Sequence, residues 1–205
     1  VRILLLIAAL GLPLHGQRIV YTKAFPGSNP AYVKITIERS GAATYQESAD
    51  EPEPARFTLE PVVTDALFDL AAKLNHFTRK LDSNNAKIAN MGLKTYRWEE
   101  GGNATIVQYN HTTDEDARAF QDWLERITEC QRILAELEHT YRYDRLGVNE
   151  VLVRLEAAWQ QKRLVAAAEF VPILDRIAKN PALLNMARER AANLSDAFKA
   201  WKAER

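Results

Sequence analysis

Residues 87–143 read KIANMGLKTYRWEEGGNATIVQYNHTTDEDARAFQDWLERITECQRILAELEHTYRY, and this stretch decides the fold. Leu93 to Trp98 and Thr105 to Tyr109 are rich in β-branched and aromatic residues, the composition that suits a pleated, half-buried surface. Between them Glu99 to Asn103, centred on Gly101-Gly102, is a turn signal. The pair predicts a hairpin whose loop is longer than two residues. Thr112, followed three residues later by Glu115, then predicts a capping box that opens a long helix, with Asp114 and Asp116 favoured beside its positive end. Inside that helix Phe120, Trp123, Leu124, Ile127, Cys130, Leu134, Leu137 and Tyr141 recur at three- and four-residue steps. They form one apolar stripe that must be buried against a neighbour, and the sheet is the nearest candidate.

Upstream, Arg18 to Lys23 is expected to be an edge strand. Tyr32 to Glu38 alternates apolar and polar residues, Ser40-Gly41 turns the chain into Ala42 to Gln46, and Arg56 to Leu59 is a short further strand. The acidic, proline-bearing segment from Glu47 to Pro54 reads as an exposed loop. Pro61 can open a helix because its missing N–H costs nothing in the first turn, and helical spacing runs from there to about Phe77. Asp82 to Asn85 is a turn signal, and Met91-Gly92 suggests a bulge before the hairpin.

Beyond the long helix the pattern is helical only. Tyr143 to Gly147 is a corner in which Gly147 would take a left-handed conformation. Val148 to Trp159 and Val165 to Lys179 each carry an amphipathic face, with Pro172 either starting or bending the second. Asn180-Pro181 is expected to open a last helix by the cap-then-proline rule. On that helix Leu184, Ala187, Ala191, Leu194, Phe198 and Trp201 make a narrow seam suited to antiparallel packing. The fold expected is α+β: an antiparallel sheet of about five or six strands covered by two helices, Pro61 to Phe77 and Thr113 to Arg142, then a helical C-terminal subdomain. The organisation is residues 1–16 as a signal peptide, 17–142 as the α+β domain and 143–205 as the helical subdomain.

At 205 residues, with 47% hydrophobic and 26% charged residues, the chain can bury a sizeable core. Its 27 basic and 27 acidic residues cancel and no single-sign block occurs, so the linear pattern offers no nucleic-acid-binding face. Arg2, the apolar run from Ile3 to Leu12 and the Pro13 to Gly16 segment match an export signal cleaved near Gly16. Roughly ten apolar residues are too few for a membrane-spanning helix, so no stable span is expected after cleavage, and the compartment is periplasmic or extracellular. Cys130 is the sole cysteine, which excludes an intrachain disulfide, and its place on the apolar stripe favours a buried, inert thiol.

The sequence contains none of the zinc-protease, Cys-x-x-Cys, nucleophile-elbow, Walker or dinucleotide-binding motifs. Glu136-x-x-His139 occurs once, whereas a di-iron bundle uses that unit twice, so neither a metal nor a cofactor is expected. Three Asn-x-Ser/Thr patterns occur, at Asn103, Asn110 and Asn193, and the first two sit in or beside the hairpin, where Asn and Thr have structural uses. Tyr96 and Trp98, flanking Arg97, would form either an exposed aromatic platform or a core face packed on the long helix, and core packing is the simpler reading.

The phrases Ile88 to Thr95, Tyr109 to Thr112, Tyr143 to Val148 and Met186 to Ala191 resemble those of a family of short exported acidobacterial proteins. The N-terminal order of hairpin, strand, helix and second hairpin is similar to a small α+β domain of other exported bacterial proteins. Those resemblances imply compartment and architecture and carry no activity or catalytic residue.

Three functions follow as expectations. The first is a non-enzymatic interaction module of the bacterial envelope, binding another envelope protein through the sheet's free face or the C-terminal helices. The second is an enzyme or small-ligand binder with a pocket between sheet and C-terminal helices, using Lys94, Tyr109 and His111 near the hairpin, with Tyr96 and Trp98 as neighbours. The third is a helical oligomerisation module built on the last helix; the sequence leaves the oligomeric state open.

Overall fold

A computed structural model describes residues 16–83 and 87–200. The expected N-terminal signal up to residue 15, half of the Asp82 to Asn85 turn and Trp201 lie outside them. Six strands, β1 (Arg18–Ala24), β2 (Tyr32–Glu38), β3 (Ala42–Gln46), β4 (Ala55–Thr58), β5 (Leu93–Glu100) and β6 (Asn103–Tyr109), form one antiparallel sheet ordered β4-β3-β2-β1-β5-β6. Five helices follow or interrupt them: α1 (Pro61–Lys73), α2 (Glu115–Tyr143), α3 (Val148–Gln160), α4 (Val171–Lys179) and α5 (Asn185–Ala200). This is the α+β fold expected, with the helical elements at the C-terminus.

Side-chain alternation decides which sheet face is covered. Ile19, Tyr21, Val33, Ile35, Ile37, Ala43, Tyr45, Phe57, Tyr96, Trp98 and Tyr109 point to one face and are buried. There Phe120 of α2 meets the Tyr96 ring edge-on at 4.9 Å, and Phe68 of α1 meets Trp98 at 5.6 Å. The tyrosine and tryptophan of β5 are thus core residues rather than an exposed platform, and each large side chain so buried is worth roughly 1.5–3 kcal/mol. The core is continuous from Ile19 to Phe198, so α3, α4 and α5 pack onto the same apolar mass through α2.

Several expectations need correction. β1 is central, paired with β2 on one side and β5 on the other. The strand expected at an edge is thus interior, and Arg18 at its end is bonded to Glu99 of β5. The β5–β6 loop is two residues, since Glu99, Glu100 and Asn103 continue the ladder and only Gly101 and Gly102 turn. Both glycines have positive φ, +56° and +83°, as a primed turn requires, and no atom crowds either position. α2 starts later than Thr112: Asp114 is the cap, accepting the Ala117 N–H at 3.0 Å, while the Thr112 hydroxyl accepts from Asp114.

α1 ends at Lys73 instead of running to Phe77. Asn75, His76 and Phe77 take φ of +50°, +49° and +63°, and this left-handed turn drops Phe77 between Tyr96 and Phe120, each ring 5.3 Å away. Burial of Phe77 offsets a conformation that costs ~1–2 kcal/mol per non-glycine residue. Gly147 has φ of −70°, so it does not take the left-handed conformation expected, and its N–H is accepted by the Asp144 carboxylate at 3.1 Å. Met91 and Gly92 lie immediately before β5, outside its paired residues. Pro172 lies in the first turn of α4. The last helix begins at Asn185, because Asn180 caps only a short turn by accepting from Ala182.

Candidate interaction surface

The hairpin residues singled out in the sequence separate into different environments. Lys94 is 4% exposed, and its ammonium donates to the Asn110 carbonyl at 2.9 Å and to those of Met91 and Gly92 at 3.3 and 3.4 Å. Burial lowers its titration below the usual lysine range, and nearby Lys23 acts in the same direction. The hydroxyls of Tyr96 and Tyr109 are hydrogen bonded to each other, and Tyr109 also donates to Gln121 of α2 at 3.0 Å. Burial raises both hydroxyls above the phenol range. The cluster pins the open end of the hairpin to α2, and its polar atoms are engaged internally.

His111 lies beyond β6 with its Nδ1 3.2 Å from the Ser83 hydroxyl. Trp98 sits toward the other end of β5, where His76 stacks on it at 4.3 Å. Lys94, Tyr96 and Tyr109 therefore converge, whereas His111 and Trp98 face other partners. A cavity of about 120 Å³ opens near this cluster, lined by Tyr21, Lys23, Ser28, Asn29, Glu125 and Thr128 rather than by Lys94, Tyr109 or His111. Among the described residues no group of three or more His, Cys, Asp or Glu could hold a metal ion. No described helix is long and apolar enough to cross a membrane. Cys130 is buried, with its sulfur accepting the Val165 N–H at 3.4 Å, and burial pushes its thiol up to about 12.

What remains available is the outer face of the sheet and its two edges. The outer face presents Val20, Thr22, Thr36, Thr44, Thr95 and Ile106, half-buried or exposed, and at one end Arg18 and Arg97 grip Glu99. Burial pushes the Glu99 carboxyl up, but the bonds from Arg18 and Arg97 outweigh it and hold the group below the ordinary range. Beside them lies a hollow of about 660 Å³ lined also by Glu38, Arg39 and Glu100.

The two edges differ in kind. In an antiparallel ladder every second residue turns its N–H and C=O to the partner strand, and the residues between turn theirs away. On β4 the outward residues are Arg56 and Thr58, since the Leu59 N–H bonds to the Gly41 carbonyl. The Thr58 N–H is capped by the Glu169 carboxylate at 3.1 Å, from the turn before α4. That edge is four residues long, bears Arg56 and follows a proline-bearing acidic loop, all features that discourage further pairing.

On β6 the two-residue turn makes Glu100 and Asn103 a hydrogen-bonded pair, so Thr105, Val107 and Tyr109 also bond to β5. Ala104, Ile106 and Gln108 then face outward. The next outward donor, Asn110, is capped by Asp82 at 3.2 Å. Among the described residues no acceptor meets the N–H groups of Ala104, Ile106 or Gln108. The strand NATIVQY carries no charge and no proline, and Ile106 at its centre is 52% exposed. Sequence reading placed a strand here without singling out Ile106, Ala104 or Gln108. The absence of Lys, Glu or Pro across these seven residues was the available signal, and it acquires meaning only once β6 is known to be an edge. No protein-family model matches this sequence, and no curated protein matches it.

Proposed function

We propose that the chain is a non-enzymatic protein-interaction module, exported to the bacterial envelope, which binds by accepting an additional strand on β6. The observation that carries this reading is the run of three outward positions, Ala104, Ile106 and Gln108, that no acceptor meets among the described residues, on an uncharged strand, while the opposite edge is short, bears Arg56 and is capped at Thr58 by Glu169. An open, regular edge is a template for pairing with another chain, and natural proteins ordinarily blunt one that has no partner. Backbone bonds supply affinity in this mode, and outward side chains at alternate positions, here Ile106 and its neighbours, supply selectivity. Export is the expectation set by the N-terminal apolar run.

The test is capture from an envelope extract by the chain beginning at Gln17, compared with its Ile106→Pro variant. Proline removes an outward N–H that β5 does not use, so the internal ladder survives. The reading requires a bound protein that the wild-type chain retains at high salt and the variant loses. Equal capture by both would refute it.

A further inference from the structure

The β6 edge is complementary to itself. Its three outward positions are symmetric about Ile106, so a two-fold axis through that residue sets Ile106 opposite Ile106 and Ala104 opposite Gln108 in a second copy. Each opposed pair then exchanges both backbone bonds, six in all, and every outward donor between the Asp82 cap and the turn is satisfied. The side chains also match. The two half-exposed Ile106 side chains cover each other, and no like charges meet within the seven residues.

We infer that the partner of β6 is a second copy of this chain, joined antiparallel about Ile106 into a continuous twelve-stranded sheet. The inference rests on the strand-addition reading above and names its occupant. The β4 edge does not favour growth, because it is four residues long, bears Arg56 and has its Thr58 donor capped by Glu169, so the two-fold contact at β6 gives a dimer in place of a fibre.

The experiment is sedimentation equilibrium on the chain from Gln17, alongside Ile106→Pro, Ile106→Lys, Ile106→Glu and an equimolar mixture of the last two, with circular dichroism to verify the fold of each. The wild type is expected to be a dimer, Ile106→Pro to weaken it at least about tenfold by removing two interchain bonds, and Lys or Glu alone to give monomers. The Lys and Glu variants mixed at low salt are expected to re-form a dimer, since opposite charges then face across the axis. A monomeric wild type, or a dimer that survives in all three single variants, overturns the inference. If the wild type is monomeric while Ile106→Pro loses a captured protein, strand addition stands and only its occupant is wrong. If capture is also unchanged, both fail.

Discussion

Glu169 accepts the backbone N–H of Thr58 at 3.1 Å, joining the turn before α4 to the outermost strand of the sheet across 111 residues of sequence. The bond caps one outward donor of that edge, and Asp82 does the same for Asn110 at the end of the other. Carboxylates from outside the sheet thus cap Thr58 and Asn110, whereas among the described residues no acceptor meets the donors of Ala104, Ile106 and Gln108.

Replacing Glu169 by Ala is predicted to accelerate amide exchange at Thr58 without altering exchange in β1 or β5. Because the bond is solvent-exposed, the cost in stability should be under about 1 kcal/mol. Urea denaturation with residue-resolved exchange measures both quantities.

Tyr109→Phe removes the donor to Gln121 and one half of the bond to Tyr96. A loss of about 1–2 kcal/mol is expected, with the Tyr96→Phe, Tyr109→Phe double variant costing less than the sum of the singles because they share one bond. Additive effects in a double-mutant cycle would show that the hydroxyl pair is not coupled.

Substituting Gly101 and Gly102 together by Ala places two β-carbons at positive φ in open space. The predicted penalty is about 1–2 kcal/mol per position, while Gly101→Asn with Gly102 retained should be nearly neutral, since Asn-Gly suits the same turn. Thermal unfolding of the two variants distinguishes a conformational requirement from a steric one, which would penalise Asn as well.

Stability should fall in alkali. The folded-state values of Cys130, Tyr21, Tyr96 and Tyr109 are all raised by burial. A group with a raised folded value contributes stability that is fully present below its unfolded value and is lost as pH rises through the folded one. For Cys130 that window runs from its ordinary value of 9.0 to about 12. Native protein should therefore resist thiol alkylation at pH 8, react once denatured, and lose free energy of unfolding progressively above pH 9.0.

Much of this architecture is legible in the sequence because its signals are local. Alternation over Tyr32 to Glu38 and the three-and-four spacing from Phe120 to Tyr141 each specify a buried face whatever they pack against. Strand order is not local: nothing beside Arg18 to Lys23 shows that β5 will pair with it, and Arg18 meets Glu99 only across 81 residues. The left-handed turn at Asn75 to Phe77 escaped for a related reason, since nothing nearby reveals the core slot beneath Tyr96 that rewards it. The candidate surface was the least legible part. Lys94 and Tyr109 stood out as polar residues in an apolar hairpin, and the fold uses them internally, whereas Ile106 looked ordinary because its significance lies in what is missing beside it.

The most direct test is amide hydrogen exchange at Ala104, Ile106 and Gln108 as a function of protein concentration, with Thr105 and Val107 as internal references bonded to β5. Strand addition by a second copy predicts that the three outward amides exchange rapidly in dilute solution and become protected as concentration rises, while the two references stay protected throughout. Equally rapid exchange of the three at every concentration would contradict pairing of β6 with its own copy.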